Sequence, residues 1–513
     1  MSEHKFIYTV SGVHLPGRTK TMKKLITLLG ISSIIGFSFL LAGSVSAQTT
    51  HRPEFKEILP LKVEPFADNN GQIPLKSQYP GPFFKLNHAW PQRPLPPLQN
   101  PPWQVAIHGQ TINTENASAY ADALRTYVSK NAKELIMNYD SWDANKARWY
   151  NEPWLGSLRE AIHGTYPAGE FGPSIFPGTG LRATFDTHVL TYYDERAAYS
   201  LYKLWGASAM KPNIQTANSQ FDEGAVIVKA AVFASVDPKQ PTDWWDAMKG
   251  AQAWPLYISL SSESSAQPQV WTGYVAQFDI IVKDSKSSPK TGWVFMTLVY
   301  DSSAPGDAWD KMIPLGAQWG NDPQAIKPGQ ALVENWINPK APKYSTQTLG
   351  SGGRLSGPND GARNDIAVNG KVEKNEPDSS CMSCHSTAQW DVKQHKMVSF
   401  LLPSFPQNDP RKATPGFQLC GNDGKPSSKG PNICSPQQAS PEWMKWFQNR
   451  LGTQPMDAGS IAMDFDEVFS FKSLPMWWYA MNPKNAPMLF ESPEHSMRFN
   501  QYTGAPIPDS SGK

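Results

Sequence analysis

Residues 379–390 read SSCMSCHSTAQW and set Cys381 and Cys384 three positions apart, with His385 directly after the second. The chain has 4 cysteines in 513 residues, so half of its thiols stand in this one stretch. On a helix, residues three apart share a face, so both thiols can add to the two vinyl groups of one porphyrin. The imidazole of His385 can then turn beneath the iron as its proximal ligand. A C-x-x-C-H match has odds of roughly 5 in 10,000 by chance at this composition, which favours a chemical role. One motif implies one covalent haem c, attached through Cys381 and Cys384 with His385 on the metal.

Three other chemistries compete for the same residues. A structural zinc site needs a second close pair, but Cys420 and Cys434 are far apart, with no histidine between them. A redox dithiol usually sits in a βαβ context that the surrounding sequence lacks, and it would leave His385 unexplained. A Cys381–Cys384 disulfide would strain a very short loop. Cys420 and Cys434 enclose GNDGKPSSKGPNI, a hydrophilic stretch with no core of its own, and are expected to form a structural disulfide.

The sixth iron position separates an electron carrier from a small-molecule site. Met456, Met463, Met476 and His495 are the candidates for it, along with no protein ligand at all. A helix continuing from the cluster would carry His395 and Met397 away from the iron. No catalytic residue can be assigned.

The elements that must position the cluster follow from periodicity. Ala117, Ala121, Leu124, Val128, Ala132 and Leu135 repeat at helical spacing over 117–137, and Ala198, Leu201, Tyr202 and Trp205 do so over 194–205, where Gly206 can end the helix. Between 224 and 300 the period changes to runs of β-branched and aromatic residues: GAVIVKAAVFA, WPLYISL, VWTGYVAQFDIIVK and GWVFMTLVY. Their short connections favour an antiparallel sheet. Lys229 stands out there, because alternation puts it beside Ile227, Ala231 and Phe233 on an apolar face. It is either an edge or snorkelling lysine, or one that meets a haem edge or an anion with a pKa lowered by burial.

The expected fold is α+β, an antiparallel-sheet body with flanking helices and a mostly helical C-terminal haem-bearing region. Its expected divisions are an upstream mis-start at 1–21, a signal peptide at 22–47, a Pro-rich arm at 48–115, the sheet body at 116–347, a linker loop at 348–380 and the haem region at 381–513. In the linker, GSGGRLSG fails the dinucleotide fingerprint because Leu355 replaces the third glycine. Ser440-Pro441-Glu442 reads as the start of a helix ending near Leu451-Gly452.

Lys23 and Lys24, the apolar run Leu25–Ala42 and the small residues Val45-Ser46-Ala47 form an export signal, so a soluble periplasmic protein is expected after cleavage, with Met22 as the start. No later segment supplies the ~20 apolar residues of a membrane span. A net charge of +2 argues against a nucleic-acid partner. The 46 prolines, 37 glycines and 19 tryptophans, with only 18% charged residues, describe a loop-rich globular chain.

The pentapeptide CMSCH resembles that of c-type cytochromes. FDEGAVIVK at 221–229, an aromatic strand GWVFMTLVYD and a late CMSCH also resemble, in that order, the β-sheet cytochromes with a lysine-crosslinked haem and cytochrome c prime-beta. That likeness implies an antiparallel sheet over one side of a five-coordinate haem, with Lys229 as the position of the crosslink. The leading expectation is an exported monohaem c-type cytochrome that exchanges electrons with a redox partner protein in a periplasmic oxidoreductase system. The alternatives are a five-coordinate haem protein acting on or binding a small nitrogenous molecule or gas, and a haem-free exported binding protein.

Overall fold

The four β-branched and aromatic runs of the middle of the chain are strands of one antiparallel sheet. In a computed structural model these are β3 (Val226–Ser235), β4 (Ala253–Ile258), β5 (Gln269–Lys283) and β6 (Trp293–Tyr300), joined by β1 (Tyr166–Phe171), β2 (Phe185–Tyr193), β7 (Met312–Gln318) and β8 (Asn335–Ile337). The structure describes residues 64–171, 178–239, 241–260, 267–326, 330–346, 363–368, 371–377, 380–393, 395–397, 419–420, 432–433 and 441–482. The signal segment 22–47, the stretch 1–21 before it, His495 and Cys434 lie outside these residues, and so does the Cys420–Cys434 disulfide.

The strand order is β1-β2-β3-β5-β6-β7-β8, with β4 paired to the first half of β5. Residues directly opposed in antiparallel strands share a face, so the register fixes rows across the sheet. One row is Thr191, Lys229, Asp279, Thr297 and Gly316, and the next is Tyr193, Ile227, Ile281, Phe295 and Gln318.

Each sheet face buries a core. On one side Val228, Ala230, Val232, Phe278, Ile280, Met296 and Leu298 pack under the helix Ala117–Met137, whose buried stripe includes the six apolar positions read from the sequence. On the other side Ile227, Ala231, Phe233, Ile281, Trp293 and Phe295 pack with the helix Glu195–Trp205, the loop around Trp154, and Met382, Trp390, Met463, Phe465, Phe469 and Leu474. Asp194 caps the Glu195–Trp205 helix by accepting the Ala197 amide, and Gly206 ends it at φ 63°.

The Pro-rich segment lies along the body. Between 64 and 101 it forms neither helix nor strand, and its hydrogen bonds go outward: Asn70 and Phe84 amides to the Arg159 and Ala161 carbonyls, and Trp90 Nε1 to the Asn151 carbonyl at 3.1 Å.

Three expectations are corrected. The C-terminal region is not mostly helical among its described residues. It has short helices at Cys381–His385, Pro441–Trp446 and Leu474–Met481 and a π-helical turn at Phe469–Ser473, and two- or three-residue strands alternate with them. The helix from Pro441 stops at Trp446, because the next residues turn to bond elsewhere: Asn321 donates to the Gln448 carbonyl, and Asn449 donates to Glu334. The segment 348–380 is not only loop, since Arg363–Val368 pairs with Lys371–Pro377 in a hairpin.

Candidate haem attachment site

Ser380 starts the one-turn helix Cys381–His385 from an extended conformation, its hydroxyl accepting the Ser383 amide at 3.1 Å. The same hydroxyl accepts from Gln318 Nε2 and donates to Asn321 Oδ1, both at 2.9 Å. Gln318 also accepts the Met382 amide through Oε1 at 3.2 Å. The last residue of β7 therefore holds the start of the helix on both sides.

The helix is five residues long, and Thr387 and Ala388 turn the chain into a short strand, Gln389–Asp391, paired with Ile461–Ala462. The premise that the helix runs on toward His395 therefore fails. His395 lies at φ 50° with its ring stacked 3.7 Å from Trp478.

His385 is half-buried, and its Nδ1 lies 2.9 Å from the Phe465 carbonyl. A carbonyl can only accept, so Nδ1 donates, and in a neutral ring the lone pair then belongs to Nε2. That is the tautomer an iron ligand requires, with the outer hydrogen bond that orients such ligands. The ring also packs 4.7 Å from Phe295 of β6.

Cys381 and Cys384 are both half-buried. Cys384 Sγ donates to Glu467 Oε1 at 2.8 Å. Cys381 stands over the row of Lys229 and Asp279. Burial, then the charges of Asp279 and Glu467, push its thiol up to about 12 against the pull of Lys229. A thiol held protonated is a poor nucleophile, which sets Cys381 apart from the low-pKa thiol of a redox pair. Among the described residues no group of three His, Cys, Asp or Glu is arranged to hold a bare metal ion. The residues present fit a haem: two cysteine thiols on one helical turn and an imidazole whose Nδ1 is bonded to a carbonyl.

Lys229 differs from its expectation. It lies on β3, flanked by β2 and β5, so it is no edge lysine, and its Nζ is 2.6 Å from Asp279 Oδ2. Burial alone would lower its pKa, but the charge and hydrogen bond of Asp279 outweigh burial and push it up to about 12. Asp279 Oδ1 also accepts from Gln277 Nε2 at 2.8 Å and Thr297 Oγ1 at 2.9 Å. Tyr166 OH lies 3.0 Å from Thr191 Oγ1 at the end of the same row.

Sequence reading missed the acidic segment Asp464–Glu467, which closes over this face. Asp466 accepts from Tyr193 OH at 2.8 Å and from the Val468 and Phe469 amides. Burial pushes it up to about 7. Burial and then the charge of Asp466 push Glu152 well above the usual carboxylate range, although Trp205 Nε1 and Ser473 Oγ donate to it. Burial lowers Lys472 to about 8, against the attraction of Glu467. The signal in the sequence was the cluster DFDE itself, four residues with three acids inside an otherwise apolar segment.

The sixth-ligand candidates fare unequally. Met463 and Met476 are core side chains, 0% and 1% exposed, and Met456 is half-buried on a surface cleft with Lys445 and Arg450. Nine tryptophans are among the largest fully buried side chains, so they build the core rather than a binding platform. No helix among the described residues is long and apolar enough to cross a membrane. Compared with protein-family models, curated proteins and solved structures, the chain matches none.

Proposed function

We propose that the protein is an exported monohaem c-type cytochrome that passes single electrons to a redox partner protein within a periplasmic oxidoreductase system. The observation that carries this reading is the bond from His385 Nδ1 to the Phe465 carbonyl, which leaves Nε2 as a coordinating lone pair one residue beyond Cys384. Cys381 and Cys384 would hold the haem c, and His385 would be its metal ligand. Bound there, the haem supplies a one-electron Fe(III)/Fe(II) couple. The chain's own part is to fix the imidazole, exclude water with the core of Phe295, Phe465 and Met382, and surround the group with paired charges. Export rests on the signal at 22–47.

Expression with a cytochrome c maturation system tests this directly. Intact mass should rise by one haem in the wild type and by none in a Cys381→Ala/Cys384→Ala variant. A wild-type chain at its bare polypeptide mass would remove the reading.

A second reading, a five-coordinate haem that binds or oxidises a small nitrogenous molecule or gas, is favoured by one observation. The polar row Thr191, Lys229, Asp279 and Thr297 lies on the same sheet face as the cluster, while Met463 and Met476 are committed to the core. Ready binding of carbon monoxide by the reduced protein supports it, and an unchanged low-spin spectrum excludes it. The crosslink implied by the resemblance would require Lys229 to lose a proton and leave Asp279, which their ion pair opposes.

A further inference from the structure

Asp464 and Phe465 adopt φ of 45° and 68°, two consecutive left-handed residues with neither a glycine. Such a turn persists only where its surroundings over-determine it. The anchor here is the Asp464 carboxylate, 1% exposed. Its Oδ1 accepts from Lys283 Nζ at 2.7 Å and Trp293 Nε1 at 2.8 Å, and its Oδ2 accepts the Phe221 amide at 2.8 Å. The carboxylate also occupies space that only a glycine leaves open: a Cβ on Gly452 would stand 1.5 Å from Oδ1. The Phe465 ring is held between Phe295 and Trp293 at 6.1 and 6.4 Å, so the residue is pinned from both sides.

We propose that Asp464 is a positioning residue for His385, its anchored carboxylate fixing the left-handed turn that aims the Phe465 carbonyl at the His385 Nδ1 proton. This rests on the haem reading above. A well-aimed carbonyl makes the imidazole more basic and Nε2 a stronger donor to iron. Asp464 touches neither iron nor ligand and acts only through Phe465. Lys283 and Trp293, opposed on β5 and β6, therefore tie the strength of the axial bond to the register of the sheet.

The test uses haem-loaded full-length protein and reads the iron–histidine stretch by resonance Raman spectroscopy of the ferrous five-coordinate form. For a six-coordinate iron, the g-anisotropy of the oxidised form replaces it. Asp464→Ala should lower the stretching frequency and raise the reduction potential at unchanged haem content. Asp464→Asn keeps the Oδ1 acceptor and should shift both less. Gly452→Ala, which displaces the carboxylate without deleting it, provides an independent variant and should shift them in the same direction. Haem-loaded Asp464→Asn and Gly452→Ala proteins with the wild-type stretch and potential would overturn the proposal. A wild type without haem would instead overturn the reading beneath it.

Discussion

Lys229 and Asp279 face each other across β3 and β5, their charged atoms 2.6 Å apart and close enough to Cys381 for both charges to act on its thiol. Asp279 keeps 9% of its side chain exposed and Lys229 keeps 32%, so the carboxylate is the more dependent partner. Lys229→Met should destabilise the protein by about 2 kcal/mol, below the usual loss for a broken buried pair because the lysine is partly solvated. Adding Asp279→Asn should recover part of that loss, since no unpaired charge remains. Denaturant unfolding of the two single variants and the double variant measures the coupling.

Asp466 titrates near 7 when folded and near the ordinary carboxylate value when unfolded. The folded state therefore binds more protons between about pH 4 and pH 7, and stability falls as pH rises through that window. His163, lowered to about 3 by burial, works in the opposite direction over much of the same range. The difference between wild type and Asp466→Asn isolates the carboxylate. The wild type should lose stability relative to the variant from pH 4 to pH 7, with no further change above about pH 8. Parallel curves across that interval would show that Asp466 is not held protonated.

Gly164 has φ +71°, and a Cβ there would lie 2.3 Å from the Phe84 ring. Phe84 is 1% exposed and pins the Pro-rich segment to the body. Gly164→Ala combines left-handed strain with overpacking and should lower stability by about 3 kcal/mol. Limited proteolysis should cut between 64 and 101 faster in the variant.

Ser380 joins Gln318, Asn321 and Ser383 through one hydroxyl, 1% exposed. Ser380→Ala removes the cap and leaves buried partners unmatched, a loss of about 2 kcal/mol. Thermal unfolding should register it. Under the haem reading the mass of the matured protein should not change, because Cys381 and Cys384 are untouched.

Much of the central sheet was legible because β3 to β6 are dense in β-branched and aromatic residues between turn formers. The helix Ala117–Met137 was legible from its apolar repeat, and its observed bounds match. β2 was not, because FDTHVLTYY is buried on both faces and mixes Asp, Thr and His with apolar residues, so it lacks alternation. The hairpin at 363–377 was missed although Asn369-Gly370 between its strands is a strong hairpin signal. At the site, the pentapeptide stands out in the sequence, but its supports are tertiary. Nothing local to His385 announces Phe465, whose carbonyl arrives from 80 residues away. The lowered pKa that the sequence offered as one alternative for Lys229 fails for the same reason, since Asp279 is 50 residues distant in sequence and adjacent only through strand register.

The one-turn helix at 381–385 has a consequence for assembly order. Its first residues are gripped by Gln318 and Asn321, already synthesised, whereas His385 and Cys384 find their acceptors only at Phe465 and Glu467. The helix is thus anchored at its two ends by partners far apart in sequence, and its hydrogen bonds are complete only when residues 465–467 have packed against it.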